Sequence, residues 1–511
     1  MVAVTPELLV APKHPVNLTH ISLGLAILAV LYLSGQIIYN VYFHPLAKYP
    51  GPKLYSATYV PYVVDGVRGN FVARLHRFHE RYGPVVRFKP NGLSYITEQG
   101  WKDIYGTRHG KKQLPKDPQF YARQHSIPDI IISTDADHSR IRRLLSHAFS
   151  EHALREQEPL VIQYFDRLIQ KLHEQVQGPT QGKINVVRWY NYTTFDVIGD
   201  LAFGEPFGGL ENEGFHFWID TFMDSFRFLG ILRAIILYPP LKVLLPLMIK
   251  FFPKLPNARE KHTEYTKATL GKRLNSSTPH PERKDFVDYI LRYNDEKGMS
   301  VPEIEKTSEV LILAGSETTA TLLSGATFHL LQNPHVIQKL TEIIRSTFKT
   351  EDEITFQSTA RIPFLHAVLE ETFRVYPPVP EVLPRKTPPE GDIIAGQFVP
   401  GDTAIGVSQY SAYHSPLNFH LPNSFLPERW LPSSDPRFVN DNRGVLQPFS
   451  FGPRNCIGKN LAYAEMRCVL ARMVWNFDMQ LCEESREWSQ QRVFTLWEKR
   501  DLWVVLKERK E

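Results

Sequence analysis

A chain of 511 residues that is 43% hydrophobic and 22% charged can bury a large core and is neither disordered nor fibrous. Its formal charge of +5, without an arginine-rich tail or aromatic-basic interleaving, argues against a nucleic-acid partner. The three cysteines, Cys456, Cys468 and Cys482, are odd in number and form no CxxC pair, which argues against a disulfide framework or a zinc or iron–sulfur set and fits a reducing compartment.

The first predicted element is a membrane helix. Residues 21–43 carry no charge, and 23 residues at about 1.5 Å each reach roughly 35 Å, enough to cross a bilayer. The run is too long for a signal-peptide core, and no small-residue cleavage site follows it. Lys13 is the only Lys or Arg before it, whereas Lys48, Lys53 and Arg68 follow, which places the body in the cytosol and residues 1–20 on the lumenal side. In the next segment, 44–53, Pro45, Pro50 and Pro52 predict an extended, semi-rigid linker.

Residues 54–511 show no repeat, no low-complexity tract and no second linker. Apolar residues recur at helical spacing in "LVIQYFDRLIQKLHEQV" and "HAVLEETFRVY", while strand-like alternation is brief, as in "GPVVRFKP" and "DLWVVLKE". The fold class expected is mainly α with minor β, one large domain behind a transmembrane helix. Phe228 to Pro253 is strongly apolar, but Arg233, Lys242 and the Pro239-Pro240 pair rule out a second span.

Further along, "LILAGSETTATLL" (Leu311 to Leu323) reads as a buried helix that nonetheless carries Glu317 and two consecutive threonines. "EETFRVYPP" places Glu371 and Arg374 one turn apart, ordinarily an exposed pair of little energetic weight. In "FSFGPRNCIGKNLAYAE" (Phe449 to Glu465), Cys456 could be nucleophile, metal ligand or core filler. Core filler does not explain its neighbours. Gly452 and Gly458 leave room for a flat group against backbone, and Pro453 stiffens the loop. A helix starting near Lys459 offers N–H groups and a dipole to a thiolate, and Arg454 suits a carboxylate at the edge of a planar cofactor. The segment offers no histidine base, so a cysteine holding haem iron fits better than a nucleophile.

"FSFGPRNCIG" resembles the FxxGxRxCxG signature of the cytochrome P-450 haem-thiolate monooxygenases, with Phe449, Gly452, Arg454, Cys456 and Gly458 in place. Other segments match in the family's order from anchor to C-terminus. The resemblance implies haem b with Cys456 as axial iron ligand, shielded by Phe449. It implies a distal helix, locally widened, in which Gly315 permits close approach to the iron, Thr318 holds the oxygen species and Glu317 relays protons. Arg142, Arg385 and Arg454 would bind the haem propionates, with His138 standing where many relatives carry Trp. Glu371, Arg374 and Arg429 of "FLPERW" would form a buried network that fixes the chain ahead of the cysteine.

Electrons would come from NADPH through a cytochrome reductase, with cytochrome b5 as a further donor, at a basic proximal surface of Arg140, Arg143, Lys459 and Arg467. The segment after Phe228 resembles the lid that touches the bilayer. Phe120 to Ile132, Pro380 to Leu383 and Phe494 to Leu496 would line an apolar pocket with few polar anchors, suited to a terpenoid, polyketide or similar lipophile. The linker, cysteine segment and C-terminus are most similar to filamentous-fungal microsomal enzymes of secondary metabolism, including trichothecene hydroxylases, which implies a single-pass protein of the endoplasmic reticulum. Two alternatives stay open at this point: a relative that rearranges substrate without activating dioxygen, and a haem carrier or sensor without turnover.

Overall fold

The computed structural model describes residues 18–108, 110–121, 127–214, 217–244, 264, 266–273, 284–295, 298–432 and 435–509. Its longer helices are α1 (Leu18–Ile38), α2 (Asp135–Ala148), α3 (Glu151–Gln177), α4 (Val186–Phe203), α5 (Phe217–Leu237), α6 (Val301–Gln332), α7 (Pro334–Thr347), α8 (Pro363–Val375) and α9 (Lys459–Asn476). Their starts follow local chemistry. Thr134 and Ser150 accept from the N–H groups of Asp137 and Ala153, and Ser300 forms a capping box with Glu303 at the head of α6. Pro363 sits in the first turn of α8, where no N–H is needed.

The strands are few and short. A four-stranded sheet runs in the order β1 (Val85–Lys89), β2 (Gly92–Tyr95), β7 (Ala404–Val407), β4 (Arg385–Lys386), with the β2–β7 pair parallel. A second sheet orders β3 (Lys183–Asn185), β11 (Trp503–Glu508) and β8 (Phe477–Leu481), all antiparallel. Two hairpins complete the set, β5 (Asp392–Ile394) with β6 (Gln397–Val399), and β9 (Val493–Phe494) with β10 (Leu496–Trp497).

Helix α6 is the axis of the molecule, packed by α4, α8 and α9. Ile312, Ala320, Leu322, Leu323 and Ala326 are all fully buried along it, and a helix apolar on every side belongs in such a place. Gly315 serves this crossing. A Cβ there would lie 2.7 Å from Ile198 Cδ1 of α4, so the missing side chain lets the neighbouring helix approach.

The apolar span Thr19–Phe43 has mean hydropathy 2.1, is not buried against the body, and ends in π-helical turns at Tyr39–Phe43. The extended linker expected over 44–53 is a correction to make. Residues 44–48 turn instead, Leu46 is fully buried, and Tyr49 Oη donates to Phe398 O at 2.9 Å. Arg87 Nη1 donates to Asn40 O at 2.9 Å and Asn40 Nδ2 to Ala57 O at 2.8 Å, so the end of the apolar helix is stapled to the body. The prolines set local turns, while burial of Leu46 and Tyr49 supplies the docking that composition alone does not reveal.

Candidate cofactor and active site

The cysteine loop closes on itself: Cys456 N–H donates to Phe449 O at 2.8 Å, and α9 begins three residues later at Lys459. Ser450 and Gly452 take φ of 61° and 73° to make the turn. A Cβ on Gly452 would lie 2.0 Å from Tyr105 O, so this glycine is required to seat the loop on the end of helix Glu98–Tyr105. Gly458 is different, since a Cβ there would sit 3.9 Å from Cys456 Sγ, an ordinary contact beside the sulfur. The Phe449 ring lies 5.1 Å from both Phe373 and Tyr463. Cys456 is exposed by its own accessible surface yet set deep in the protein mass, as a residue facing an internal chamber is. Burial pushes its thiol above the usual range, against the pull of the Gly458 N–H, Arg142 and Lys459. Helix start and cations thus act in the expected direction but are outweighed, and a bound metal cation is the charge that would ionise the sulfur outright.

Beside the loop lies a cluster of positive charge. Lys116, Arg385 and Arg454 line one cavity of about 420 Å³ together with Tyr121, Ser133 and Asp135. Arg454 Nη2 donates to Asp135 Oδ1 at 2.7 Å and to Ser133 O at 2.9 Å, while its buried Nη1 has no partner. Arg385 Nη1 donates to Leu114 O at 3.2 Å, and its buried Nε has none. Lys116 is held well below the usual lysine range by burial and by repulsion from Arg385 and Arg454. His138, buried on α2, is lowered to about 4 by burial and by Arg454, Arg142 and Lys116, and so is neutral at pH 7. Partnerless donors among mutually repelling cations call for anions, and the two carboxylates of haem meet that demand. Lys116 escaped the sequence reading because nothing in "LPKDP" marks it; only the fold brings it to Arg385 and Arg454. Arg142 does something else: its guanidinium donates to Asn455 O and Oδ1, both at 2.6 Å, bracing the residue before Cys456.

On α6, Ala314 is exposed and Thr318 part-exposed although they lie between fully buried Ile312 and Ala320, so this stripe faces an opening inside the fold. The expected widening is absent: α6 is α-helical throughout, and Thr318 Oγ1 donates to Ala314 O at 2.6 Å. Glu317 turns the other way. It is 7% exposed, its Oε1 is 2.7 Å from Lys499 Nζ, and that amine also donates to Thr321 Oγ1 at 2.9 Å. The structure therefore does not bring Glu317 and Thr318 together, and Lys499 is a partner that spacing could not reveal.

The Glu371–Arg374–Arg429 network forms as the resemblance implies. All three side chains are fully buried; Arg374 donates to Glu371 at 2.9 and 2.8 Å and Arg429 Nε at 3.2 Å. Leu426 N–H and Trp430 Nε1 also donate to Glu371, and Arg429 pairs with Asp441. Burial raises the Glu371 pKa, but the two arginines more than offset it and hold the carboxyl below its usual range.

The basic surface needs correction. Arg140 is spent on Glu303 at 2.5 Å, on Asp137 at 3.0 Å and on Gly298 O, and exposed Arg143 lies 3.8 Å from Asp295, while Lys459 is exposed and Arg467 half-buried with a buried Nε that has no partner. Among pocket segments, Glu381 and Phe494 line a cavity under α5 with Arg233. Residues 122–126 of the Phe120 to Ile132 segment and 245–253 of the lid segment lie outside the described residues.

Residues 50–504 match the family model described as Cytochrome P450. Cytochrome P450 monooxygenase astA of Talaromyces wortmannii is 46% identical over 492 residues, covering 96% of this chain and 97% of that protein. Cytochrome P450 monooxygenase efuB of Hormonema carpetanum is 45% identical, covering 93% and 94% respectively. The trichothecene C-4 hydroxylase of Trichoderma arundinaceum is 44% identical, covering 96% and 98%.

Proposed function

Because the chain belongs to the cytochrome P450 family, and so is a haem-thiolate monooxygenase, we propose that it oxidises a lipophilic secondary metabolite of the terpenoid or polyketide kind. The relatives are fungal monooxygenases and one acts at C-4 of a trichothecene, which supports that substrate class and favours turnover over a carrier role. Hydroxylation, epoxidation and desaturation are all within the chemistry of such a site.

In this reading Cys456 ligates the iron, Arg385, Arg454 and Lys116 neutralise the haem carboxylates, and neutral His138 donates to one of them. Arg142 fixes Asn455 and through it the direction of the sulfur. Haem so bound supplies the activation of dioxygen, driven by the electron-rich thiolate. Thr318 presents a hydroxyl to the opening beside α6 and holds a proton there through its bond to Ala314 O. Glu317 carries protons only after parting from Lys499, so it is a gated member of the relay. Electrons arrive from an NADPH-dependent reductase, with cytochrome b5 as second donor, at the concave face formed by Phe449, Asn455, Lys459 and Tyr463. The apolar helix holds the protein as a single-pass resident of the endoplasmic reticulum with its body in the cytosol.

The observation that carries the reading is the unpartnered Arg454 Nη1 and Arg385 Nε beside the Cys456 loop. The test is the spectrum of the reduced protein under carbon monoxide. Wild type should show the red-shifted band of thiolate ligation, and Cys456→Ser should lose it; a wild type without the band defeats the reading.

A further inference from the structure

Glu317, Thr321 and Lys499 meet on the side of α6 away from the opening. Glu317 Oε1 lies 2.7 Å from Lys499 Nζ, and the same amine donates to Thr321 Oγ1 at 2.9 Å. The Thr321 hydroxyl donates back to Glu317 Oε1 at a long 3.5 Å, which closes a triangle of one ammonium, one hydroxyl and one carboxylate. The side chains of Lys499 and Glu317 are 6% and 9% exposed, and Thr321 is fully buried. The root of Lys499 lies elsewhere. It belongs to the segment between β10 and β11, with half-exposed Glu498 before it and exposed Arg500 after it. Lys499 thus has one end near water and the other on the relay carboxylate. Tyr376 also feels the Glu317 charge but is no rival donor. Burial and that charge hold its phenol well above the usual range, and its hydroxyl is used on Gln491 Oε1 at 2.8 Å.

A buried ion pair cannot simply be pulled apart, because each partner would be left as an unpaired charge out of water. Moving one proton across the contact cancels both charges and removes that obstacle. We propose that Lys499 is the positioning residue that loads Glu317: the ammonium passes a proton to the carboxylate, directly or across the Thr321 hydroxyl, and the neutral acid then leaves the amine and turns to the opening beside Thr318. One Nζ–H bond breaks and one Oε–H bond forms. The pair of electrons from the broken bond stays on Nζ as the lone pair of a neutral amine, which recovers its proton from water at the surface end of the residue. Glu317 delivers its proton at the opening, where reduction of dioxygen consumes it, and returns as a carboxylate to the recharged ammonium. Arginine could pair with Glu317 equally well but does not release a proton in a protein, so the step requires lysine. The inference rests on the monooxygenase reading and on Glu317 as a member of its relay.

The test follows NADPH consumption by the haem-loaded full chain with an NADPH-dependent cytochrome reductase and dioxygen. Lys499→Arg keeps the charge and the pairing, so it rescues a lysine that is only a counter-charge and does not rescue one that yields a proton. Consumption should fall by roughly tenfold or more in Lys499→Arg, while the denaturant midpoint stays at the wild-type value. Glu317→Gln should fall as far, and Lys499→Arg should add nothing in that background, because both residues hand on the same proton. Lys499→Gln serves if the arginine does not fit: its amide still donates to Glu317 but has no proton to give, and consumption should fall likewise. Wild-type consumption in either Lys499 variant, or losses that multiply in the double variant, overturns the proposal. The carbon monoxide band is read on the same samples. It should form under NADPH at the wild-type rate in every variant, since electron delivery uses none of these side chains, and its absence from wild type means that the monooxygenase reading itself has failed.

Discussion

Glu465 lies inside α9, 5% exposed, with the Thr319 hydroxyl of α6 as its hydrogen-bonding partner. Burial pushes its carboxyl up to about 8, with the Thr319 bond pulling the other way, so the folded protein keeps it protonated at pH 7. A folded value above the unfolded one means that its contribution is fully present below about 4.5 and lost as pH rises to 8. Glu465→Gln, which is always neutral, should therefore melt close to wild type at pH 5 and above it at pH 8, the gap widening by on the order of 2 kcal/mol or more. Parallel melting curves across that range would show the carboxyl to be ionised in the core. At this scale the sequence was legible where a residue's role depends on its immediate neighbours. Cys456, Phe449 and Arg454 fall where their motif places them. Lys116, Lys499 and Asn455 were not legible, because their significance comes from partners well over a hundred positions away; nor was the close approach of Ile198 to Gly315.

Among the elements, the Glu371 carboxylate of α8 ties down the turn Pro427–Trp430, accepting from Leu426 N–H, Arg429 Nε and Trp430 Nε1. Replacing Arg429 by Ala leaves Glu371 and Asp441 each short of a cation in a dry setting. It should cost about 3–5 kcal/mol, read as a lower denaturant midpoint, and should weaken the thiolate band before the helical signal falls. A loss under 1 kcal/mol would mean that water reaches the network. Periodicity found these helices because a 3.6-residue stripe is a local property; it located α3, α8 and the strands β1 and β11. The linker failed the same treatment, since its turn is held by contacts to Phe398 and Arg87. The uniform winding of α6 also went unforeseen, because threonine back-bonding satisfies the carbonyl that a wider turn would have freed.

Taken whole, the molecule stores several histidines in neutral form. Burial lowers His79 and His329 to about 4 and His414 to about 3. With folded values below the unfolded 6.5, their contribution is complete above pH 6.5 and is lost as pH falls toward 4, each on the order of 2–3 kcal/mol. Glu465 runs in the opposite direction but is a single group. The denaturant midpoint should drop steeply between pH 6.5 and 4.5, and more steeply in Glu465→Gln; a flat profile would contradict the neutral burial of these rings. One structural detail has a mechanical meaning at this scale. Arg87, 1% exposed, clasps Asn40 O and Pro90 O together, and Asn40 in turn holds Ala57. A rod welded to its load transmits torque. Any tilt imposed on α1 is therefore passed to the whole body, which swings with it as a hull swings with its keel.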